Sequence, residues 1–205
     1  MLTLMEAPLF KEAVGLFSIL IAACIYLPYL RLTLQKKIVP HPFTWGVWVL
    51  LTGTAFFAQV ADGAGPGAWM NAFVAVICVV IFIATLKYGY KEPSKADRVA
   101  LIMAIGSVIA WRLMGDPLWA VVMVSLGNTI SYVPTVRKSF RAPYSESAAF
   151  FAINASRHAV SLFALAHVSL TTALFPAVLI VNNSLFALFL MVRRQKIPRE
   201  DILKS

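Results

Sequence analysis

The residues best suited to chemistry are four polar side chains inside one apolar run: Asn154, Arg157, His158 and Ser161. Their spacing puts them on one face of a helix. Counted from Ser147, where the run opens, Arg157 falls near mid-membrane if the run lies in lipid. An arginine at that depth costs at least ~2.5–3.5 kcal/mol even on the lenient insertion scale. It must then face a bundle interior or water. One reading is an electrostatic site for an anionic or strongly polar solute. The other is a structural pairing with helix-end carbonyls or with Asp62. His158 titrates near neutral pH in its unperturbed state, so it is a candidate for proton coupling. A hydrogen-bonding strut is the commoner role of such a residue.

Amides recur in other apolar runs, at Asn71, Asn128, Asn182 and Asn183. An amide offers donors and an acceptor together, which suits hydroxyl-rich ligands. It equally suits helix-to-helix bonding in lipid, worth ~0.6 kcal/mol each. Trp48 and Thr52 share a helical face, and the indole of Trp48 could stack on a sugar or a planar ring. Trp45 reads as an interfacial anchor, as do Trp111 and Arg112. Asp62 begins DGAGPG, a turn signal; an outer gate with Arg112 is the alternative. No metal cluster, nucleophile–base spacing or phosphate loop is present in the sequence, so no enzyme, metal or cofactor is expected. Cys24 and Cys78 fall inside apolar runs and read as small buried hydrophobes.

These residues must be positioned by elements that live in lipid. Of the 205 residues, 60% are hydrophobic and 13% charged, and the mean hydropathy is +0.79. A soluble domain runs nearer ~45–50% apolar and ~25% charged. The few polar residues cannot cover so much apolar surface, so the chain is expected to be a polytopic membrane protein. Seven apolar segments run roughly 13–34, 43–61, 68–88, 98–114, 117–136, 147–168 and 171–192. Most reach the ~17–25 residues that a ~30 Å hydrocarbon core requires of a helix; the fourth is the shortest and weakest. Runs this long satisfy their backbone in lipid only as helices.

The net charge of +9 does not point to nucleic acid. The basic residues lie between the runs, as topology signals do. The segments holding Arg31, Lys36 and Lys37, then Lys87, Lys91, Lys95 and Arg98, then Arg137, Lys138 and Arg141, together with the tail (Arg193, Arg194, Lys196, Arg199, Lys204), carry 15 of the 18. The bias predicts an N-terminus outside and a C-terminus in the cytoplasm, across a bacterial inner (cell) membrane. Glu6 and Glu12, with no basic start or small-residue cleavage site, argue against a signal peptide.

The chain also repeats itself. YLPYLRLTL, residues 26–34, returns as YVPTVRKSF, residues 132–140, at an offset of 106 residues. Tyr26, Pro28, Arg31 and Thr33 match Tyr132, Pro134, Arg137 and Ser139. Each copy closes an apolar run and leads through a basic loop past a proline, Pro40 or Pro143, to a hydroxyl N-cap, Thr44 or Ser147. A proline within a helix removes a backbone bond, and in lipid the freed carbonyl marks a hinge, a polar cavity or a static kink. Pro28 and Pro134, at matched places, read as hinges. Tyr26 and Tyr132 flank them as gate candidates, although interfacial anchoring is the simpler role for a tyrosine there.

Three runs, one unpaired run and three more, with both motifs, resemble the SWEET and PQ-loop superfamily. The stretch KSFRAPYSES, residues 138–147, is similar to that family's loop. The sequence departs from the pattern where Tyr29 and Thr135 replace the glutamine after proline, and where the second and sixth runs lack internal prolines. The resemblance implies an all-α membrane protein of seven transmembrane helices, with two parallel three-helix-bundle repeats joined by a linker helix. The bundles would be residues 1–88 and 117–192, the linker 89–116 and the basic tail 193–205. It implies alternating-access transport of a small polar solute, a sugar or a small organic anion, between the bundles. An asparagine of the last helix, Asn182 or Asn183, would then face the solute. The expected partners are that solute and the lipid bilayer; two bundles in one chain allow a monomer and leave a homo-oligomer open. The alternative is a receptor, sensor or assembly factor on the same scaffold. A microbial rhodopsin needs a lysine midway along the last helix, and 171–192 has none.

Overall fold

The computed structural model describes residues 7–36, 42–88, 95–141, 143–144 and 146–197. Glu6, Lys37, Pro40, Lys91, Arg199 and Lys204 lie outside these described residues. Seven α-helices are present among them: α1 (Pro8–Leu34), α2 (Pro42–Ala61), α3 (Trp69–Tyr88), α4 (Lys95–Met114), α5 (Pro117–Arg141), α6 (Ala148–Phe163) and α7 (Leu170–Lys196). A single 3₁₀ turn, Gly65–Ala68, precedes α3. The chain is an all-α integral membrane protein.

Local chemistry sets the helix ends. Pro8, Pro42 and Pro117 stand in first turns, where a missing N–H costs nothing. Asp116 Oδ1 accepts from Leu118 N at 2.8 Å. Gly115, at φ 68°, ends α4 in the left-handed conformation that glycine adopts without strain. Ser147 caps α6 by accepting from Phe150 N at 3.2 Å. Ser169 and Thr172 form a reciprocal capping box on α7. Thr44 is not a cap: α2 starts at Pro42, which places it inside the first turn. The shortest helix is α6, with 16 residues, rather than the fourth, which extends to 20. Five helices are long and apolar enough to cross a membrane; α4 contributes a shorter apolar stretch, Leu101–Met114.

The surface is inverted relative to a soluble domain. Leu16, Leu20 and Leu27 on α1, Ile83 on α3 and Leu185 on α7 are exposed, whereas Ser18, Gln59, Asn71, His158 and Asn183 are buried. Apolar side chains meet lipid, and polar ones find partners between helices.

Packing repeats the sequence echo. In the first unit α3 lies against both α1 and α2; in the second α7 lies against both α5 and α6. The units meet along two seams, α1 on α6 and α2 on α5, related as a two-fold axis would relate them. The extra helix α4 packs on α5 and α2. A core of Val47, Leu51, Ala55, Val121, Val124 and Phe175 spans the junction of the units. Ala55, Ala58, Ala104 and Ala120 are fully buried, and their small size lets backbones approach closely.

Candidate functional site

A cavity of about 450 Å³ lies between the two units. The first unit lines it from α1 with Tyr26 and Tyr29 and from α2 with Trp45, Trp48 and Thr52. The second lines it from α5 with Asn128 and Tyr132, from α6 with Asn154, Arg157 and His158, and from α7 with Asn183. It reaches the basic end of the bundle at Thr44, Thr135 and Glu146, and extends inward to Asn71 and Phe175.

Arg157 is its central feature. The side chain is 5% exposed. Nε donates to Asn154 Oδ1 at 2.7 Å, and Nη2 donates to Tyr26 Oη at 3.3 Å across the α1–α6 seam. The guanidinium also sits 5.3 Å from the Tyr26 ring centre, within cation–π range. Asn154 is held in turn by its own helix, donating to Phe150 O at 3.0 Å. Among the described residues Arg157 therefore pairs with neither a helix-end carbonyl nor Asp62, the two structural alternatives; its partners are an amide and a phenol. Nη1 of Arg157 and both ring nitrogens of His158 are buried without a hydrogen-bond partner. Ser161 turns back to its own helix, donating to His158 O at 2.8 Å.

The remaining amides divide. Asn183 is buried, with Nδ2 donating to Leu179 O at 2.7 Å. Asn182 is not on the cavity wall. It ties α7 to α5, donating to Asn128 Oδ1 at 3.3 Å and Thr129 Oγ1 at 3.0 Å. Thr52 donates to Trp48 O at 2.7 Å. Trp45 is no interfacial anchor: it is 6% exposed and packs edge-on to Trp48 and beside Tyr29. Anchoring fails for Tyr26 too, whereas Tyr132 is half-buried. Tyr26 is 3% exposed, and Tyr132 packs against Phe151 and Phe186. Pro28 lies within α1 with its ring exposed, away from the cavity, and Pro134 lies within helical backbone of α5.

The inner end of the cavity is closed by contacts between the units. Pro176, which the sequence reading passed over, stands inside α7 and is buried. Having no N–H, it leaves the carbonyl of Thr172 without its intrahelical partner. Gln59 from α2 fills that place, donating to Thr172 O at 2.7 Å. The Gln59 side-chain oxygen accepts from Asn71 Nδ2 at 2.9 Å. Beyond this bridge the two loops meet, with Ala166 N donating to Ala64 O at 2.9 Å. A Cβ at Gly67 would stand 2.4 Å from Leu165 Cδ2 and 2.9 Å from Leu165 Cα, so only glycine permits the approach. Asp62 turns to the same loop rather than to Arg112. It accepts from the Ser169 hydroxyl and lies 3.6 Å from His167 Nδ1.

A proline inside an apolar run, LFPAV at 174–178, was the visible signal for Pro176. The Gln59–Thr172 pairing joins residues 113 positions apart and has no local signature. Chemically, the arrangement can hold a small solute against amides, rings and one guanidinium, with access from the basic end. Comparison of the chain with protein-family models, curated proteins and solved structures finds no match, so these internal features carry the functional reading.

Proposed function

We propose that this protein is a membrane transporter moving a small polar solute by alternating access through the cavity between its two units. The observation that carries this is the cavity itself. Polar and aromatic groups from both units line one space that reaches the basic end and stops at a closed junction at the other. Two pseudo-equivalent units that meet along two seams can rock about them, opening one end as the other closes. The SWEET/PQ-loop resemblance supports the same mechanism, with the proline motifs of α1 and α5 as hinges. On the charge bias, the basic end faces the cytoplasm, in a bacterial inner membrane, and the closed junction faces outward.

The test is uptake into liposomes of a panel of sugars, amino acids and organic anions. Wild-type protein is expected to concentrate or equilibrate at least one of them. Arg157→Ala and Asn183→Ala are expected to slow that uptake by about tenfold or more, the equivalent of ~1.4 kcal/mol or more of barrier. If no solute moves, the scaffold serves as a receptor, sensor or assembly factor. If both variants move the solute as well as wild type, the solute does not pass these residues.

A further inference from the structure

We propose that the ligand of the cavity is a small monocarboxylate with an apolar or aromatic body, engaged through Arg157 and His158. This rests on reading the cavity as a solute site and selects the chemical class of that solute.

Among the described residues, no carboxylate pairs with the guanidinium of Arg157. The nine acidic residues of the chain are at 6, 12, 62, 92, 97, 116, 146, 200 and 201. None is within α6, and Asp62 is engaged at the far junction. Glu146 lies before the Ser147 cap of α6, at the basic end of the same cavity and ~15 Å of helix rise from Arg157 when counted from Ser147. The groups that hydrogen-bond or stack on the guanidinium are the Asn154 amide, the Tyr26 hydroxyl and the Tyr26 ring, all neutral. Nη1 remains unpartnered. A buried cation lacking a counter-charge is strongly unfavourable unless something supplies one.

Beside it, His158 is 1% exposed and neither ring nitrogen has a partner. An imidazole carries at least one N–H in every protonation state. Two adjacent, unsatisfied donor groups, one of them charged, therefore lie just behind the cavity surface. A neutral polyol can accept hydrogen bonds there but leaves the charge uncompensated. A carboxylate satisfies both needs, and its two oxygens match the edge of a guanidinium.

The body of the ligand follows from the rest of the lining. Val47, Leu51, Phe175, Leu179 and the rings of Trp48 and Phe151 supply apolar surface. One guanidinium among such groups suits a monoanion with an apolar body better than a phosphate dianion. Nη1 and the His158 ring nitrogens have almost no accessible surface, so the anion engages them once wall side chains turn aside. The Tyr26 contact, the longer of the two hydrogen bonds of Arg157, is the one that gives way.

The symmetry of the fold locates the charge in one unit. The counterpart helix of the first unit, α2 (Pro42–Ala61), contains no charged residue and no histidine, whereas α6 carries Arg157 and His158. The carboxylate is thus held by the second unit, while Tyr29, Trp45 and Trp48 of the first face its body.

The test titrates purified full-length protein in detergent with benzoate, benzamide, glucose and inorganic phosphate, reading tryptophan emission and thermal midpoint. Benzoate is expected to bind saturably and to raise the midpoint. Benzamide, with the same shape and no charge, should bind at least about tenfold more weakly, as should glucose and phosphate. Arg157→Gln should lose benzoate binding by a similar factor, and Arg157→Lys should keep part of it. Equal binding of benzamide or glucose, tighter binding of phosphate, or undiminished benzoate binding by a folded Arg157→Gln variant would overturn the assignment. Should Arg157→Gln not fold, the wild-type benzoate-to-benzamide ratio decides alone. Benzoate binding without transport of any panel solute would uphold the carboxylate site and defeat the transporter reading. Transport of a neutral solute by wild type and Arg157→Gln alike would do the reverse.

Discussion

At the scale of single residues, Arg157 is held by contacts that differ in strength. Its Nε bond to Asn154 is short and shielded, whereas its Nη2 bond to Tyr26 is 3.3 Å long and crosses between the units. Asn154→Leu removes the stronger acceptor and leaves another part of the cation unpaired. It is expected to destabilise the protein by ~1.5–3 kcal/mol, the range for hydrogen bonds to charged groups. Tyr26→Phe keeps the ring under the guanidinium and loses only the weaker bond, so its cost should stay below ~1.5 kcal/mol. Thermal unfolding in detergent checks the order; a larger loss from Tyr26→Phe would mean that the phenol, not the amide, anchors Arg157. The polar face of α6 was legible in the sequence because its spacing is helical and local. Which partners those residues take was not. Tyr26 lies 131 positions from Arg157, and the turn residue Asp62 finds its partners in the α6–α7 loop only through the tertiary fold.

Elements close the inner end of the cavity by exchanging backbone partners. Pro176 frees a carbonyl in α7, and Gln59 of α2 satisfies it. Gln59→Leu should therefore cost ~1–3 kcal/mol, because Thr172 O is left buried and unpaired. Adding Pro176→Ala supplies an intrahelical N–H to that carbonyl, so the double variant should be more stable than Gln59→Leu alone. A double-mutant cycle read by thermal unfolding measures this coupling; simple additivity would show that the carbonyl does not link the two residues. Gly67→Ala forces a Cβ against the Leu165 backbone. In a background with Cys24→Ala and Cys78→Ala, this change should raise maleimide labelling of an Ala68→Cys reporter, buried in the parent protein. Unchanged labelling would mean that the loops absorb the methyl group without parting. Seven helices could be read from hydropathy because each run must span the same apolar layer. Their ends were read less well: Pro42 starts α2 ahead of the expected cap at Thr44, and α6 stops at Phe163, short of the end of the apolar run. Capping and loop contacts, rather than hydropathy, decide those positions.

At the scale of the molecule, the sequence echo at Tyr26 and Tyr132 becomes two three-helix units with α3 and α7 in matched places. Both tyrosines line the cavity where the units meet. Symmetry supplies the scaffold, and the units depart from it at Arg157 and His158, since α2, the counterpart of α6, holds no charged residue and no histidine. The charge asymmetry predicts that a C-terminal affinity tag is cleaved by protease in inside-out vesicles and protected in right-side-out ones; the opposite pattern would invert the assignment of the closed end. Alternating access makes a sharper demand, that the closed junction must part during each cycle. Gly63 and His167 face each other there across the units, with Cβ atoms 3.8 Å apart once a Cβ is built on the glycine. That separation falls within the ~3.5–4.5 Å usual for a disulfide, and a cysteine there must take up the left-handed backbone, φ 72°, of Gly63. The most direct measurement is uptake of the transported panel solute by the Gly63→Cys/His167→Cys double variant, lacking Cys24 and Cys78, before and after oxidation. The account predicts that oxidation stops uptake and that reduction restores it. Uptake that continues at the reduced rate with the disulfide formed would contradict it.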